Sequence, residues 1–253
     1  MTSPYMPSVI QSVGLACVPV DDMPLGSAMA RKPVAAAVIT LSERDDGHRE
    51  VKIDCVSDAR PLEFPLPVLV DDALIAGAPT IVSQADCDIL TVEAASRRFF
   101  NEPRLAGLAK GQRLIDPVAI FGLDADEGAL CRRLGIAANM VADRDVALSW
   151  SRRLPAAAEG VALTVAVSRL MLWAHAASFR DAVPDAFFET LLPLRERLMD
   201  LEHGQPQLKA VLGTRPFGRA ASFAGYYRDY RALRDAGDDT VRWVTFEEGL
   251  YYV

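Results

Sequence analysis

The sequence is poor in the residues that would announce a chemistry. It has three histidines in 253 residues, His48, His175 and His203, and they are scattered. Its four cysteines, Cys17, Cys55, Cys87 and Cys131, lie far apart and form no Cys-x-x-Cys pair. A zinc site needs His or Cys neighbours at ligand spacing, so this pattern argues against one. It reads instead as free thiols in a reducing cytoplasm. No G-x-S-x-G, P-loop or G-x-G-x-x-G stretch occurs, so small-molecule enzymes lack their usual signals. No apolar run reaches the roughly 18 residues of a membrane span. The opening MTSPYMPSVIQ lacks the basic start and apolar core of a signal peptide. The expected location is therefore the cytoplasm, with no membrane partner. Basic residues are not in excess: the net charge is −7. Any nucleic-acid contact must come from a local basic patch. There is no internal repeat and no low-complexity tract.

What is present is an apolar share of 51% and a charged share of 24%, the balance of a folded protein. The length suits one large domain, or a domain with an appendage. Ser12 to Val20 and Val34 to Leu41 are apolar runs that read as buried strands. Asp46-Gly47 is a hairpin signal, and Glu50 to Val56 alternates, with Val51, Ile53 and Cys55 on one face. Three antiparallel strands are the expected opening. Pro61, Pro65 and Pro67 mark a crossing loop, and Pro67 to Ile75 a short helix. Thr80 to Ser83 reads as a strand and Asp88 to Phe100 as a helix. Asn101 to Gly111 reads as a loop, and Leu114 to Phe121 as a fifth apolar segment. Asp124 or Asp126 caps a helix that ends at Gly135.

Glu159 to Arg180 (EGVALTVAVSRLMLWAHAASFR) is apolar on nearly all sides, which predicts a helix buried between layers. Asp185 to Leu201 is a further helix that Pro193 should kink. Gln205 to Phe217 reads as a linker. Ala220 to Asp235 reads as a helix carrying Phe223, Tyr226, Tyr227, Tyr230 and Leu233, and Val241 to Phe246 as a strand. The expected organisation is a domain over 1–204 with an extension, 205–253, packed on it.

Residues 33–200 resemble the predicted 3′–5′ exonucleases of the DnaQ-like superfamily, close to the proofreading domains of family B polymerases. PTIVSQADCDIL (79–90) resembles that family's second exonuclease motif, a strand running into Phe-Asp at a helix start. RLIDPVAIFG (113–122) and DEGALCRRLGI (126–136) resemble its next two segments. The long apolar helix resembles the one that carries the third motif. The resemblance implies an α/β fold: an RNase H-like mixed central sheet flanked by helices, here with a C-terminal helical and strand extension.

The chemistry that the resemblance implies uses four carboxylates to hold two divalent ions. Hard cations require oxygen ligands, so apolar residues cannot replace them. The first motif falls on Cys17 and Pro19, with Asp21 and Asp22 just beyond it, adjacent and so on opposite faces of a strand. The second-motif aspartate matches Asp88, with Asp86 as the other candidate. The third-motif segment offers Val161, Ala162, Thr164 and Val165, with no carboxylate between Glu159 and Asp181. Asp116 matches an aspartate usual in the family. Asp88 is thus a vestigial catalytic or metal residue, or a plain helix cap.

The first functional expectation is a catalytically inactive relative of 3′–5′ exonucleases, a pseudoenzyme that binds nucleic acid or protein and needs no cofactor. The alternative is an active exonuclease that recruits Asp21, Asp22, Asp86 and Asp88 and uses magnesium or manganese. Residues 215–242 interleave six arginines with aromatics, a pattern that suits single-stranded nucleic acid. Arg228 and Arg231 are its candidate contacts. The competing expectation is a buried aromatic stripe with Tyr226, Tyr230 and Leu233 and the arginines as its solvated edge; a third is a protein partner, since tyrosine and arginine are enriched at interfaces.

Overall fold

A computed structural model describes residues 6–20, 30–58, 65–96, 103–121, 126–136, 143–181, 184–201, 206–238, 243–246 and 249–252. Strands β1 (Val9–Pro19), β2 (Arg31–Glu43) and β3 (Arg49–Ser57) form an antiparallel meander. The β2–β3 hairpin turns at Asp46-Gly47, where Gly47 takes a φ of 77°, a conformation that costs glycine little. Two short strands complete the sheet: β4 (Thr80–Ile81), parallel to β1, and β5 (Leu114–Ile115), parallel to β4. The order is β3-β2-β1-β4-β5, a five-stranded mixed sheet.

The two longest strands are covered on both faces. Their apolar runs are therefore nearly continuous, as the sequence pattern requires. Ile10, Ala16 and Val18 of β1 pack to one side, and Val13, Leu15 and Cys17 to the other. The second side is covered by α1 (Leu66–Ala73), α2 (Gln84–Ser96) and α3 (Pro103–Ala109). Buried Gln11 ties β1 to this layer: its amide donates to Thr40 Oγ1 at 2.8 Å and accepts from the Ile75 N–H at 2.7 Å.

The first side is covered by α6 (Pro155–Asp181), with α7 (Asp185–Leu201) and α9 (Arg215–Asp235) in the same core. Two smaller helices, α4 (Glu127–Leu134) and α5 (Asp143–Ser151), precede α6, and α8 (Pro206–Leu212) precedes α9. Ala158, Ala162 and Ala166, spaced by four, are fully buried along α6. The helix and β1 come into backbone contact at Gly14. A methyl group there would overlap the Ala162 carbonyl and lie 2.5 Å from the Ala166 nitrogen. Ser12 Oγ donates to the Ala166 carbonyl at 2.7 Å beside it.

The meander, the buried long helix, the Asp126 cap and the left-handed Gly135 stop match the sequence reading. Other expectations are corrected. Helix α2 starts at Gln84 rather than near Asp88, because Ser83 Oγ accepts from the Asp86 N–H at 3.1 Å. The expected loop and linker contain α3 and α8. Pro103 and Pro206 are their first residues, where a missing N–H costs nothing. Of the segment 114–121 only two residues are strand. Asp116 Oδ1 accepts from the Val118 and Ala119 N–H groups and turns the chain into a 3₁₀ turn at Ala119–Phe121.

Pro193 lies inside α7, which runs from Asp185 to Leu201. By length and composition α6 could cross a membrane, contrary to the reading that no run is long enough. In the fold, 78% of its most apolar window is buried. At the C-terminus, β6 (Trp243–Phe246) and β7 (Gly249–Tyr252) pair as a separate antiparallel hairpin.

Candidate functional site at the end of the fourth strand

From β1 the chain leaves toward β2, and from β4 it leaves through α2 toward β5. The carboxyl end of β4 therefore stops beside the middle of β1, and the chain turns away there into α2, the kind of strand-end crevice at which open α/β sheets usually bind ligands. β4 is only two residues long and pairs with Gln11 and Ser12. Past that point the β4-side edge of β1 must find other partners, beginning at Val13.

One side chain fills the gap. Arg169, near the middle of α6, is 4% exposed. Its Nη1 donates to the Val13 carbonyl at 2.8 Å and to Asp86 Oδ2 at 2.6 Å. Its Nη2 donates to Ser83 Oγ at 3.1 Å and to Glu127 Oε2 at 3.0 Å. Its Nε donates to Glu127 Oε1 at 3.0 Å. A guanidinium has five N–H bonds, and these five contacts use all of them. Burial would lower the pKa of the group, but Asp86 and Glu127 more than reverse this, and the net direction is upward. Arg169 is a permanent cation bound by two carboxylates, a carbonyl and a hydroxyl.

Local sequence positions each partner. Ser83 caps α2, which sets Asp86 in the first turn, facing inward. Asp126 caps α4 by accepting from the Ala129 N–H at 2.7 Å, which sets Glu127 at the start of that helix. Two cysteines border the same layers. Burial pushes the Cys87 thiol up to about 11 and the Cys131 thiol up to about 12, so neither is a nucleophilic thiolate near neutrality.

The sequence-derived site residues fare unevenly. Asp88 is exposed, and its carboxylate accepts from Gln84 Nε2 at 2.8 Å. It is two residues from Asp86, which on a helix is the opposite face. Asp86, the second candidate, is the aspartate that faces the crevice. Asp88 is also not a cap, because it lies in the second turn of α2. Cys17 and Pro19 lie roughly 13 and 20 Å further along β1 than Val13. The strand position that borders the crevice is therefore Val13, not the pair read as the first motif. Asp21 and Asp22 lie outside the described residues. Ala162 and Thr164 are buried in α6. Among the described residues no three His, Cys, Asp or Glu side chains are grouped so as to hold a metal.

Arg169 and Glu127 were missed in the sequence, although one signal was there. An arginine at the middle of a helix that is apolar on all sides has to be buried, and a buried cation has to be paired.

A second charged cluster lies between α7 and α9. Asp185 is fully buried; its Oδ2 accepts from Arg234 Nη1 at 2.7 Å, and the Tyr227 hydroxyl lies 3.0 Å from its Oδ1. Glu189 accepts from Arg231 Nη1 at 2.7 Å and lies 3.6 Å from Arg49 Nε of β3. Of the two arginines read as nucleic-acid contacts, Arg228 is exposed and Arg231 is held in this cluster. Of the expected stripe Tyr226, Tyr230 and Leu233, only Tyr230 is buried, and Tyr227 takes the place of Tyr226. Phe217, Tyr227 and Tyr230 are buried, while Tyr226 is 56% and Leu233 42% exposed.

A groove of about 660 Å³ opens at the amino end of β4. It is lined by Leu74, Ile75, Leu108 and Arg113, among others, and by Arg104, which is tied to Asp71. Comparison with protein-family models, with curated proteins and with solved structures finds no match for this chain.

Proposed function

We propose that the chain is a catalytically silent relative of the RNase H-like 3′–5′ exonucleases, retained as a binding module whose partner is a protein. The observation that carries this reading is Arg169. Two-metal hydrolysis requires carboxylates free to share two cations. At the crevice between β1 and β4, Asp86 and Glu127 are already committed to one guanidinium. With Arg169 in place these oxygens are taken, and no position is left among them for magnesium or manganese. The arrangement of three antiparallel strands, a fourth strand leading into a helix, and a long buried helix supports the RNase H-like part of the reading.

The guanidinium also cannot serve as a phosphate receptor, since its five donors are taken. The nucleic-acid version of the reading therefore rests on the surface of α9. There Arg231 and Arg234 are bound to Glu189 and Asp185, while Arg228 is exposed beside the exposed Asp229. Tyr226 and Leu233 remain exposed on the same helix, and tyrosine and arginine are enriched at protein interfaces.

The test is incubation of pure protein with a single-stranded oligonucleotide and magnesium or manganese. We expect no shortening of the 3′ end, and weak oligonucleotide binding that disappears at moderate salt. Shortening that is lost in Asp86→Ala or Asp88→Ala would overturn the silent reading. Tight binding that Arg228→Ala abolishes would replace the protein partner with a nucleic acid.

A further inference from the structure

We infer that the crevice between β1 and β4 is an oxygen-lined cation seat whose resident cation is the protein's own Arg169. This inference rests on the silent reading proposed above and explains how it arises physically. Oxygens of four residues converge on the guanidinium: a carbonyl from β1 (Val13), a hydroxyl from the turn after β4 (Ser83), and carboxylates from α2 (Asp86) and α4 (Glu127). They come from three segments, β1, the β4–α2 turn and α4, and the cation links all three to α6. Carboxylates, carbonyls and hydroxyls are the ligand types that hard divalent cations select.

The charge balance agrees. Two carboxylates face one guanidinium, leaving a net formal charge of −1 in a site where Arg169 and Asp86 are both buried. Without the guanidinium the two carboxylates, one of them buried, would face each other uncompensated. Such a site either expands, takes up protons or takes up a cation. The seat is therefore specific for positive charge with oxygen preference. A divalent ion or a free guanidinium ion can replace the side chain once that side chain is removed.

The experiment is chemical rescue of Arg169→Ala, read by thermal unfolding at neutral pH. The probes are manganese chloride, methylguanidinium chloride at low millimolar concentration, and sodium chloride at matched ionic strength. We expect Arg169→Ala to melt well below wild type. Manganese or methylguanidinium should then raise its Tm by about 5 °C or more, the scale set by a ligand that binds only the folded state. Matched sodium chloride should raise it far less, and the wild type should respond to neither probe. The double variant Asp86→Ala, Arg169→Ala should lose the response.

If Arg169→Ala does not fold in plain buffer, it is refolded from urea with and without each probe. Recovery of structure with manganese or methylguanidinium supports the seat, and failure with both overturns it. An equal response in wild type, or one that survives in the double variant, also overturns it. The two proposals fail separately. Nuclease activity in the wild type would end the silent reading whatever the rescue shows, and absence of rescue would end the seat while leaving that reading standing.

Discussion

Asp86 and Asp88 are two residues apart on one helix, yet they should behave as different kinds of residue. Asp86 Oδ2 lies 2.6 Å from Arg169 in the core. Removing one partner of a buried pair strands the other charge, which typically costs about 3–5 kcal/mol. We expect Asp86→Ala to lower stability by roughly 3 kcal/mol, with Glu127 limiting the loss. Asp88→Ala should stay within about 0.5 kcal/mol, as exposed substitutions do. Urea denaturation of both variants checks this, and similar losses would refute the assignment of Asp86 as the crevice residue. Gly14 offers a second test at this scale. Its added methyl would meet backbone atoms of α6, which cannot rotate away as a side chain can. Gly14→Ala should cost about 2–3 kcal/mol by forcing the helix off the sheet. A neutral result would mean that helix and strand separate easily there.

At the scale of elements, the informative contact is α9 against α7. Phe188 and Tyr227 stack with centroids 4.6 Å apart, and three polar side chains of α9 reach acids on α7. Asp185 also begins α7, where a carboxylate suits the helix dipole. Arg231 is therefore a fastening residue and Arg228 is not. We expect Arg231→Ala to cost about 1–2 kcal/mol, in the range of a lost hydrogen bond to a charged group. Arg228→Ala should change stability by less than about 0.5 kcal/mol. Both are read from the urea midpoint. If Arg228→Ala proved the more damaging of the two, the phase of α9 described here would be wrong. The same pair separates folding from binding, because an oligonucleotide effect confined to Arg228→Ala cannot be blamed on instability.

For the whole molecule, buried titratable groups bound the pH range of stability. Burial lowers the pKa of His175 from 6.5, opposed by its hydrogen bond with the Met171 carbonyl, and a positive Arg219 lowers it further. A carbonyl only accepts, so Nδ1 carries the proton. The folded protein therefore protonates this ring at lower pH than the unfolded chain does. That difference removes stability as the pH falls. On the other side, burial raises Cys55 and Cys131 from 9.0 to about 12 and Cys87 to about 11. The unfolded thiols ionise first, so stability is lost as the pH rises from 9 toward these values. We expect the wild type to lose more stability between pH 7.5 and pH 5.5 than His175→Leu does, measured by urea midpoints. Equal losses would show that the ring is protonated in the folded state.

By itself the sequence determined the elements whose signals are local. The Asp46-Gly47 hairpin, the Asp126 cap with its Gly135 stop, and the alternation of β3 depend on neighbours within a few residues, and all were legible. The all-round apolar character of α6 likewise determined that it would be covered on every side. Tertiary structure decided the rest, because burial is a property of packing rather than of spacing. Asp86 and Asp88 look alike along the chain, and only the docking of α6 turns one inward. Prolines 103 and 206 look like breaks, and only a helix following each makes them starts. Arg169 carries a charge that no local rule pairs. Its partners come from residues 13, 83, 86 and 127, up to 156 positions away. The sheet order β3-β2-β1-β4-β5 is what brings them to one crevice.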